Sequence, residues 1–250
     1  LVSSGQIDMG AEVNFAVPTG NFGNILAAYY AKRMGLPVGK LICASNKNNV
    51  LTDFIRTGVY DKRREFYKTM SPSMDILISS NLERLLFELS GRNALRVQMR
   101  MEKLAADGVY ELYDEEKEQV RELLWADFCG EDETVETIYE FFEEYQYPMD
   151  THTACAMYAV GNYIAQHEKD AAPMVVVSTA SPYKFPQDVM YAITGNDIKD
   201  SFKAIKHLNI ATAMKVPASL AKLREKPVRF TQVADKDGLY PLALGFAEEK

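Results

Sequence analysis

A glycine-rich loop is the segment of this sequence best suited to binding a ligand. It follows a short apolar run at residues 13–17 and precedes a helical pattern at residues 24–34. Glycines let the backbone bend sharply and approach a ligand, and the free N–H groups at a helix start favour an anion. The loop therefore predicts a phosphate cradle, with a plain turn as the alternative. Its backbone donors would come from Gly20, Asn21, Phe22, Gly23 and Asn24.

A second polar loop follows the apolar run at residues 174–177 and begins with Ser178 and Thr179. In parallel sheets, ligands bind outside the carboxyl ends of the strands. We therefore expect the two loops to bind one small phosphorylated ligand between them. The first loop contains no basic residue, so backbone amides rather than cations would bind the phosphate. It also lacks the GK[ST] and GxGxxG patterns of nucleotide-binding loops.

The elements around both loops alternate between strand and helix. Apolar runs predict strands, and residues at helical spacing predict helices at the positions between them. This order predicts an α/β fold, a mainly parallel sheet with helices on both faces. The strands are expected at residues 13–17, 41–44 and 174–177, and the helices at 24–34, 49–56, 153–165 and 185–193. The last strand reads as one buried on both faces.

The domain prediction assigns residues 1–90 and 148–215 to the sheet domain and residues 216–250 to a tail. Residues 91–147 are predicted as an acidic helical insertion, because apolar residues recur there among many acids. Residues 111–144 hold fourteen Asp or Glu against Lys117 and Arg121. The acidic face is interpreted as solvated, with a partner-binding surface as the alternative.

The composition of the chain argues against several classes of protein. With 250 residues and 47% hydrophobic composition the chain can bury a sizeable core. Its net charge of −7 argues against nucleic acid, and no apolar run is long enough for a membrane span. Cys43, Cys129 and Cys155 are odd in number and lack metal-ligand spacing, so they are predicted as core residues with no metal site, in a protein of the reducing cytoplasm. The first residue is Leu, which suggests a piece of a longer chain.

Four blocks of the sequence resemble, in order, those of threonine synthases of the long bacterial and fungal type. They lie at residues 13–24, 71–84, 150–154 and 178–185. The resemblance implies the C-terminal part of the large domain of a fold-type-II pyridoxal 5'-phosphate enzyme, related to the tryptophan synthase β chain. It implies a lyase of threonine biosynthesis that converts O-phospho-L-homoserine and water to L-threonine and phosphate.

The resemblance also implies roles for individual residues. The backbone of the loop from Gly20 to Asn24 matches the phosphate-binding segment. Thr179 matches the hydroxyl that faces the ring nitrogen of the cofactor, with its neighbour Ser178 as the alternative. Two residues are substrate-site candidates: His152, which could instead be structural, and Lys184, which could instead pair with a surface acid.

Two departures from the family pattern affect the expected activity. The Ala-Phe-Lys-Asp type segment that carries the Schiff-base lysine is missing, so no catalytic residue is assigned here. We therefore expect the chain alone to be inactive and its partner to be the missing N-terminal half. Ser181 stands where many relatives have His before the proline. Two alternatives stay open: a non-catalytic module that binds a phosphate ligand, and another α/β enzyme with a phosphorylated substrate.

Overall fold

Four apolar segments pair in parallel to form the central sheet of the computed structural model, which describes residues 1–248. The strand order is β5-β2-β1-β6, and β3 pairs with β4 in a separate antiparallel ribbon. The strands of the described chain are β1 (Val13–Pro18), β2 (Val38–Ser45), β3 (Val59–Asp61), β4 (Val109–Glu111), β5 (Leu124–Phe128) and β6 (Met174–Val176). The sequence predictions of β1, β2 and β6 and of a mainly parallel α/β fold are therefore confirmed.

Helices occupy most of the remaining described chain. They are α1 (Gly23–Arg33), α2 (Val50–Thr57), α3 (Leu82–Leu89), α4 (Ala94–Asp107), α5 (Asp114–Leu123), α6 (Glu131–Tyr145), α7 (Thr151–Gln166), α8 (Pro186–Thr194), α9 (Ser201–Thr212), α10 (Ala218–Ala221) and α11 (Leu239–Glu248). The four predicted helices correspond to α1, α2, α7 and α8. Gly58 follows α2 with φ of 80°, a left-handed conformation that glycine adopts readily and that ends the helix.

The two faces of the sheet are covered by different helices. Val17, Leu41 and Cys43 point towards α1 and α2, where they join the largest apolar cluster of the protein. Ala16 and Ile42, one residue removed along the strands, pack against α7 instead. This alternation follows from the two-residue period of a strand, and it places helices on both faces as predicted.

Helix α7 packs closely against the sheet because its inner positions carry small side chains. Ala154, Ala156 and Ala159 are fully buried, and Cys155 lies among them without solvent contact. Small residues let the helix axis approach the strands, and Tyr163 then fills the space near its end. The three cysteines are buried, which confirms their interpretation as core residues.

Between residues 91 and 147 the sequence predicts only helices, and there the structure differs. Five residues, Leu124–Phe128, form β5 and pair in parallel with β2. Leu124 and Phe128 are four positions apart, a spacing that also fits a helix. A strand of only five residues therefore does not stand out from the helical pattern around it. The segment therefore adds an edge strand to the main sheet and β4 to the antiparallel ribbon, as well as helix α4 and the acidic helices α5 and α6.

Strand β6 also differs from its prediction as a strand buried on both faces. Met174, Val175 and Val176 are each only half-buried. The reason is its position at the edge of the sheet, where β1 is its neighbour. An apolar run predicts a strand here but does not predict how many neighbours the strand has.

The chain divides into two compact units, residues 1–215 and the segment from Val216 onward. The first unit contains the whole sheet and helices α1 to α9. The second contains α10 and α11, and in it the rings of Phe230 and Phe246 meet edge to face at 5.6 Å. No helix among the described residues is both long and apolar enough to span a membrane.

Candidate functional site

The glycine-rich loop connects the end of β1 to the first turn of α1. Phe22 takes the left-handed conformation with φ of 63°, which is unfavourable for a residue with a side chain. Its ring is 2% exposed and belongs to the apolar core. Burial of the ring offsets the backbone strain and anchors the loop at its centre.

The backbone N–H groups of this loop are free to bind a ligand. Thr19 N–H donates to the carbonyl of Ala44, and the intrahelical ladder begins when Leu26 N–H donates to the carbonyl of Phe22. Between them, within the described residues, the N–H groups from Gly20 to Asn24 have no protein acceptor. Consecutive free N–H groups at a helix start form an anion-binding concavity. We call residues 20–24 the phosphate cradle.

A cavity of about 320 Å³ opens over the cradle and brings the two predicted loops together. It is lined by Pro18, Thr19, Gly20, Asn21, Phe22, Gly23, Asn24, Ser73, Met74, His152, Thr179, Ala180 and Lys184. The residues that the sequence proposed for cofactor or substrate therefore lie at this one cavity, except Ser178, the alternative to Thr179. Its volume is within the range of small-molecule sites.

The sequence assigned no site role to the turn at residues 71–75, which forms the third wall of the cavity. Ser73 and Met74 pack on Gly20 so closely that a Cβ atom there would lie 2.9 Å from the Ser73 carbonyl oxygen and 3.0 Å from Met74 Cα. Ser79 Oγ donates to the Gly20 carbonyl at 2.8 Å from the same side. The only signal in the sequence was the resemblance of residues 71–76 to a family block.

His152 lines the cavity, but its ring nitrogens are engaged. Its side chain is only 4% exposed. Nε2 accepts the Ser73 N–H at 3.2 Å, so the proton of a neutral ring lies on Nδ1, which is 3.2 Å from Asp150 Oδ1. Its ring also contacts the Phe185 ring, tilted by 41° with 4.7 Å between the ring centres. In this arrangement the lone pair of Nε2 holds the 71–75 turn and is not free to take a proton from a substrate.

Asp150 begins α7 by capping its first turn. Oδ1 accepts the N–H groups of His152 and Thr153, at 2.9 and 3.3 Å, and Oδ2 accepts the Thr153 hydroxyl. Burial by itself would raise the pKa of Asp150, but the hydrogen bonds from His152 and Thr153 outweigh burial and lower it. The carboxylate is therefore kept charged, and it orients His152.

We expect Asp150→Ala to lower the free energy of unfolding by about 1–2 kcal/mol, the usual cost of losing a helix cap. A lowered folded-state pKa stabilises the fold above the ordinary aspartate range, and this stabilisation is lost as pH falls through the folded pKa. Urea unfolding of the wild type and of Asp150→Ala between pH 7 and pH 2 measures this effect. The difference between their free energies of unfolding should shrink towards acid pH, and a difference that stays constant would contradict the capping role of the charged Asp150.

The second loop presents Thr179 and Lys184 to the cavity. Ser178, the alternative to Thr179, is turned away: the Thr153 hydroxyl contacts its Oγ at 3.3 Å. Lys184 is exposed, with Nζ 5.2 Å from the centre of the Phe185 ring, and no acid pairs with it within the described residues. Ser181 accepts the Tyr183 N–H at 3.3 Å and so caps the short helical turn Pro182–Lys184.

Comparisons with known proteins agree on one family. Residues 153–239 match a family model described as threonine synthase, C-terminal. Threonine synthase from Pseudomonas aeruginosa is 37% identical over 219 residues, which are 88% of this chain and 42% of that protein. The human protein named threonine synthase-like 1 is 40% identical over 203 residues, 80% of this chain and 27% of that protein.

Solved structures agree in fold as well. The structure of pyridoxal-phosphate-bound threonine synthase from Brucella melitensis superimposes with a TM-score of 0.75 at 37% identity, covering 92% of this chain and 44% of that one. The yeast threonine synthase gives a TM-score of 0.80 at 31% identity, covering 96% and 48%. The chain is similar to the C-terminal part of threonine synthases.

The chain spans less than half the length of these family members, from 27% of the human relative to 48% of the yeast structure. It is similar to their C-terminal part, as the family model indicates. The activity of a whole protein that contains this chain is therefore a matter for proposal.

Proposed function

We propose that the protein containing this chain binds pyridoxal 5'-phosphate and converts O-phospho-L-homoserine and water to L-threonine and phosphate. One observation carries the proposal: the free N–H groups of the cradle and the Thr179 hydroxyl line a single cavity in a chain similar to threonine synthases. When bound, the cofactor would serve as an electron sink for carbanions of the substrate.

The described residues fit such a cofactor by their chemistry. The cradle offers N–H donors and no side-chain charge, which suits a phosphate whose position must be fixed by the backbone. Thr179 lines the cavity and offers a neutral hydroxyl, whereas Ser178 does not line it. We assign the ring nitrogen to Thr179 for this reason. Lys184, exposed at the cavity and unpaired within the described residues, is the group we assign to attracting the phosphorylated substrate.

A second candidate is a non-catalytic module that binds a phosphate ligand. It is favoured by His152, since its Nε2 already accepts the Ser73 N–H and so offers no free base. The chain is similar both to proteins named threonine synthase and to proteins named threonine synthase-like 1. These names alone do not distinguish an enzyme from a non-catalytic module. The distinction lies in whether product forms, not in whether the cradle binds phosphate.

The test uses the full-length protein. It should show visible absorbance from bound pyridoxal phosphate, lose that absorbance with hydroxylamine, and release threonine and phosphate from O-phosphohomoserine in equal amounts. Visible absorbance without product would favour the non-catalytic module. A colourless protein that does not take up pyridoxal phosphate would refute both the cofactor and the reaction.

We expect Thr179→Asp in the full-length protein to shift the absorbance spectrum and the rate together. A carboxylate beside the ring nitrogen would favour its protonated form, whereas a neutral hydroxyl does not. Thr179→Ser, which keeps the hydroxyl, should leave the spectrum nearly unchanged. The measurement is the visible spectrum beside the steady-state rate of phosphate release. An effect of Ser178→Ala as large as that of Thr179→Asp would move the assignment to Ser178.

A further inference from the structure

A polar network lies behind the cavity and contributes none of its lining residues. Asn46, Asn48 and Ser71 are buried in it, and Thr69 and Asp75 are half-buried. At its centre the Asp75 carboxylate accepts four hydrogen bonds. Oδ1 accepts from Asn46 Nδ2 at 2.8 Å, Asn48 Nδ2 at 3.0 Å and the Thr69 hydroxyl at 2.7 Å. Oδ2 accepts the Thr69 N–H at 2.9 Å. Within the described residues no cation forms an ion pair with Asp75, so these neutral donors stabilise its charge.

Asn46 holds both ends of the 71–75 turn at once. Besides the bond to Asp75, its Nδ2 contacts Ser71 Oγ at 3.0 Å and the Ser71 carbonyl at 3.3 Å. Its own Oδ1 accepts the Asn48 N–H at 2.9 Å, which fixes the orientation of the amide. One side chain therefore sets the distance between the start and the end of the turn.

The network links the turn to the strands that carry the cradle. Asn46 follows the last residue of β2, and the Ala44 carbonyl in β2 accepts the Thr19 N–H just before the cradle. From there the turn reaches back, so that Ser73 and Met74 lie against Gly20. His152 Nε2 accepts the Ser73 N–H. The turn is thus held at both ends by Asn46 and at Ser73 by His152.

We propose that Asp75 and Asn46 are positioning residues that hold the 71–75 turn against Gly20 and so keep the phosphate cradle in its binding geometry. Neither residue touches the cavity, and both act through Ser73 and Met74. The inference rests on the proposed function, because the cradle is assigned there to the cofactor phosphate. It adds a distant determinant of phosphate affinity that the sequence pattern did not assign.

The charge of Asp75 matters as much as its shape. An Asn at this position can present its single oxygen to the three side-chain donors, but its NH₂ group then faces the Thr69 N–H, and two donors oppose each other. Hydrogen bonds to charged groups are worth more than those between neutral groups. We therefore expect the turn to lose its fixed position while the largest apolar cluster, which contains no residue of the network, stays intact.

The experiment compares the affinities of pyridoxal phosphate and pyridoxal for the full-length protein. In Asp75→Asn, affinity for pyridoxal phosphate should fall about tenfold to a hundredfold, the range expected for lost hydrogen bonds to a charged group. Affinity for pyridoxal, which has no phosphate, should stay within about twofold of the wild type. Asp197→Asn is the matched control, because Asp197 is exposed and, among residues 1–248, forms its ion pair with the exposed Lys199. It should change neither affinity.

A double-mutant cycle tests whether the two residues act as one. Asn46→Ala and Asp75→Ala remove the same link, so the double variant should bind pyridoxal phosphate hardly more weakly than either single variant. If Asp75→Asn does not fold, Asn48→Ala removes only one of the four bonds to Asp75 and should still weaken pyridoxal phosphate selectively. Equal losses for both ligands, or additive losses in the cycle, would overturn the positioning role.

Gly23→Ala in the same assay separates this inference from the proposed function. Selective weakening of pyridoxal phosphate by Gly23→Ala but not by Asp75→Asn would overturn the positioning role and keep the cofactor site. If Gly23→Ala leaves pyridoxal phosphate affinity unchanged, the cradle is not the cofactor site and the proposed function fails as well. If both Gly23→Ala and Asp75→Asn weaken pyridoxal phosphate and leave pyridoxal affinity unchanged, the result supports both the cofactor site and the positioning role.

Discussion

The 250-residue chain alone is expected to form no threonine from O-phospho-L-homoserine, even with pyridoxal phosphate supplied. The cradle and Thr179 can position a phosphate and a ring, but neither can move a proton. Of the titratable side chains that line the cavity, His152 uses Nε2 to hold the Ser73 N–H, and Lys184 lies exposed at its rim. Loss of acid–base chemistry alone lowers a rate by about 10²–10⁴-fold.

The measurement is release of threonine and phosphate by the chain, beside the longer protein that contains it. Lys184→Ala in the chain is the control for that lysine acting as a base. Turnover by the chain that approaches the longer protein would contradict the expectation. Turnover that disappears in Lys184→Ala would assign the missing base to Lys184.

Substitutions at the two glycines of the cradle should have large but different effects. A Cβ atom at Gly20 would press on the backbone of Ser73 and Met74, at 2.9 and 3.0 Å. Overpacking of this kind costs about 1–3 kcal/mol, so Gly20→Ala should lower both stability and cofactor affinity. A Cβ atom at Gly23 would meet only Asn81 Nδ2, at the ordinary distance of 3.7 Å. Gly23→Ala should therefore fold normally.

The space that a Gly23 side chain would enter is the space that a bound anion needs. We expect Gly23→Ala, and a bulkier residue even more, to weaken pyridoxal phosphate by about tenfold or more in the full-length protein while the midpoint of thermal unfolding stays near that of the wild type. Thermal unfolding without ligand, followed by titration with pyridoxal phosphate, measures both quantities. Normal cofactor affinity in Gly23→Ala would show that the phosphate does not bind at this loop.

Features carried by neighbouring residues were accessible from the sequence. The apolar run of β1, the glycines of the loop and the start of α1 together predict a turn with free N–H groups, and the structure has one. Asp150 before α7 is a helix cap by type and position, and it caps that helix. Such features depend on a few consecutive residues, whose propensities and hydrogen-bonding groups act locally.

The wall of the site and the edges of the sheet were decided by the tertiary structure. Ser73 and His152 are 79 positions apart, and their hydrogen bond exists only because the 71–75 turn and α7 pack on the same end of the sheet. Likewise β5 is a strand because β2 offers it backbone partners, although its residues fit a helical pattern. Local propensity is worth a fraction of a kcal/mol per residue, so burial and pairing between distant segments override it.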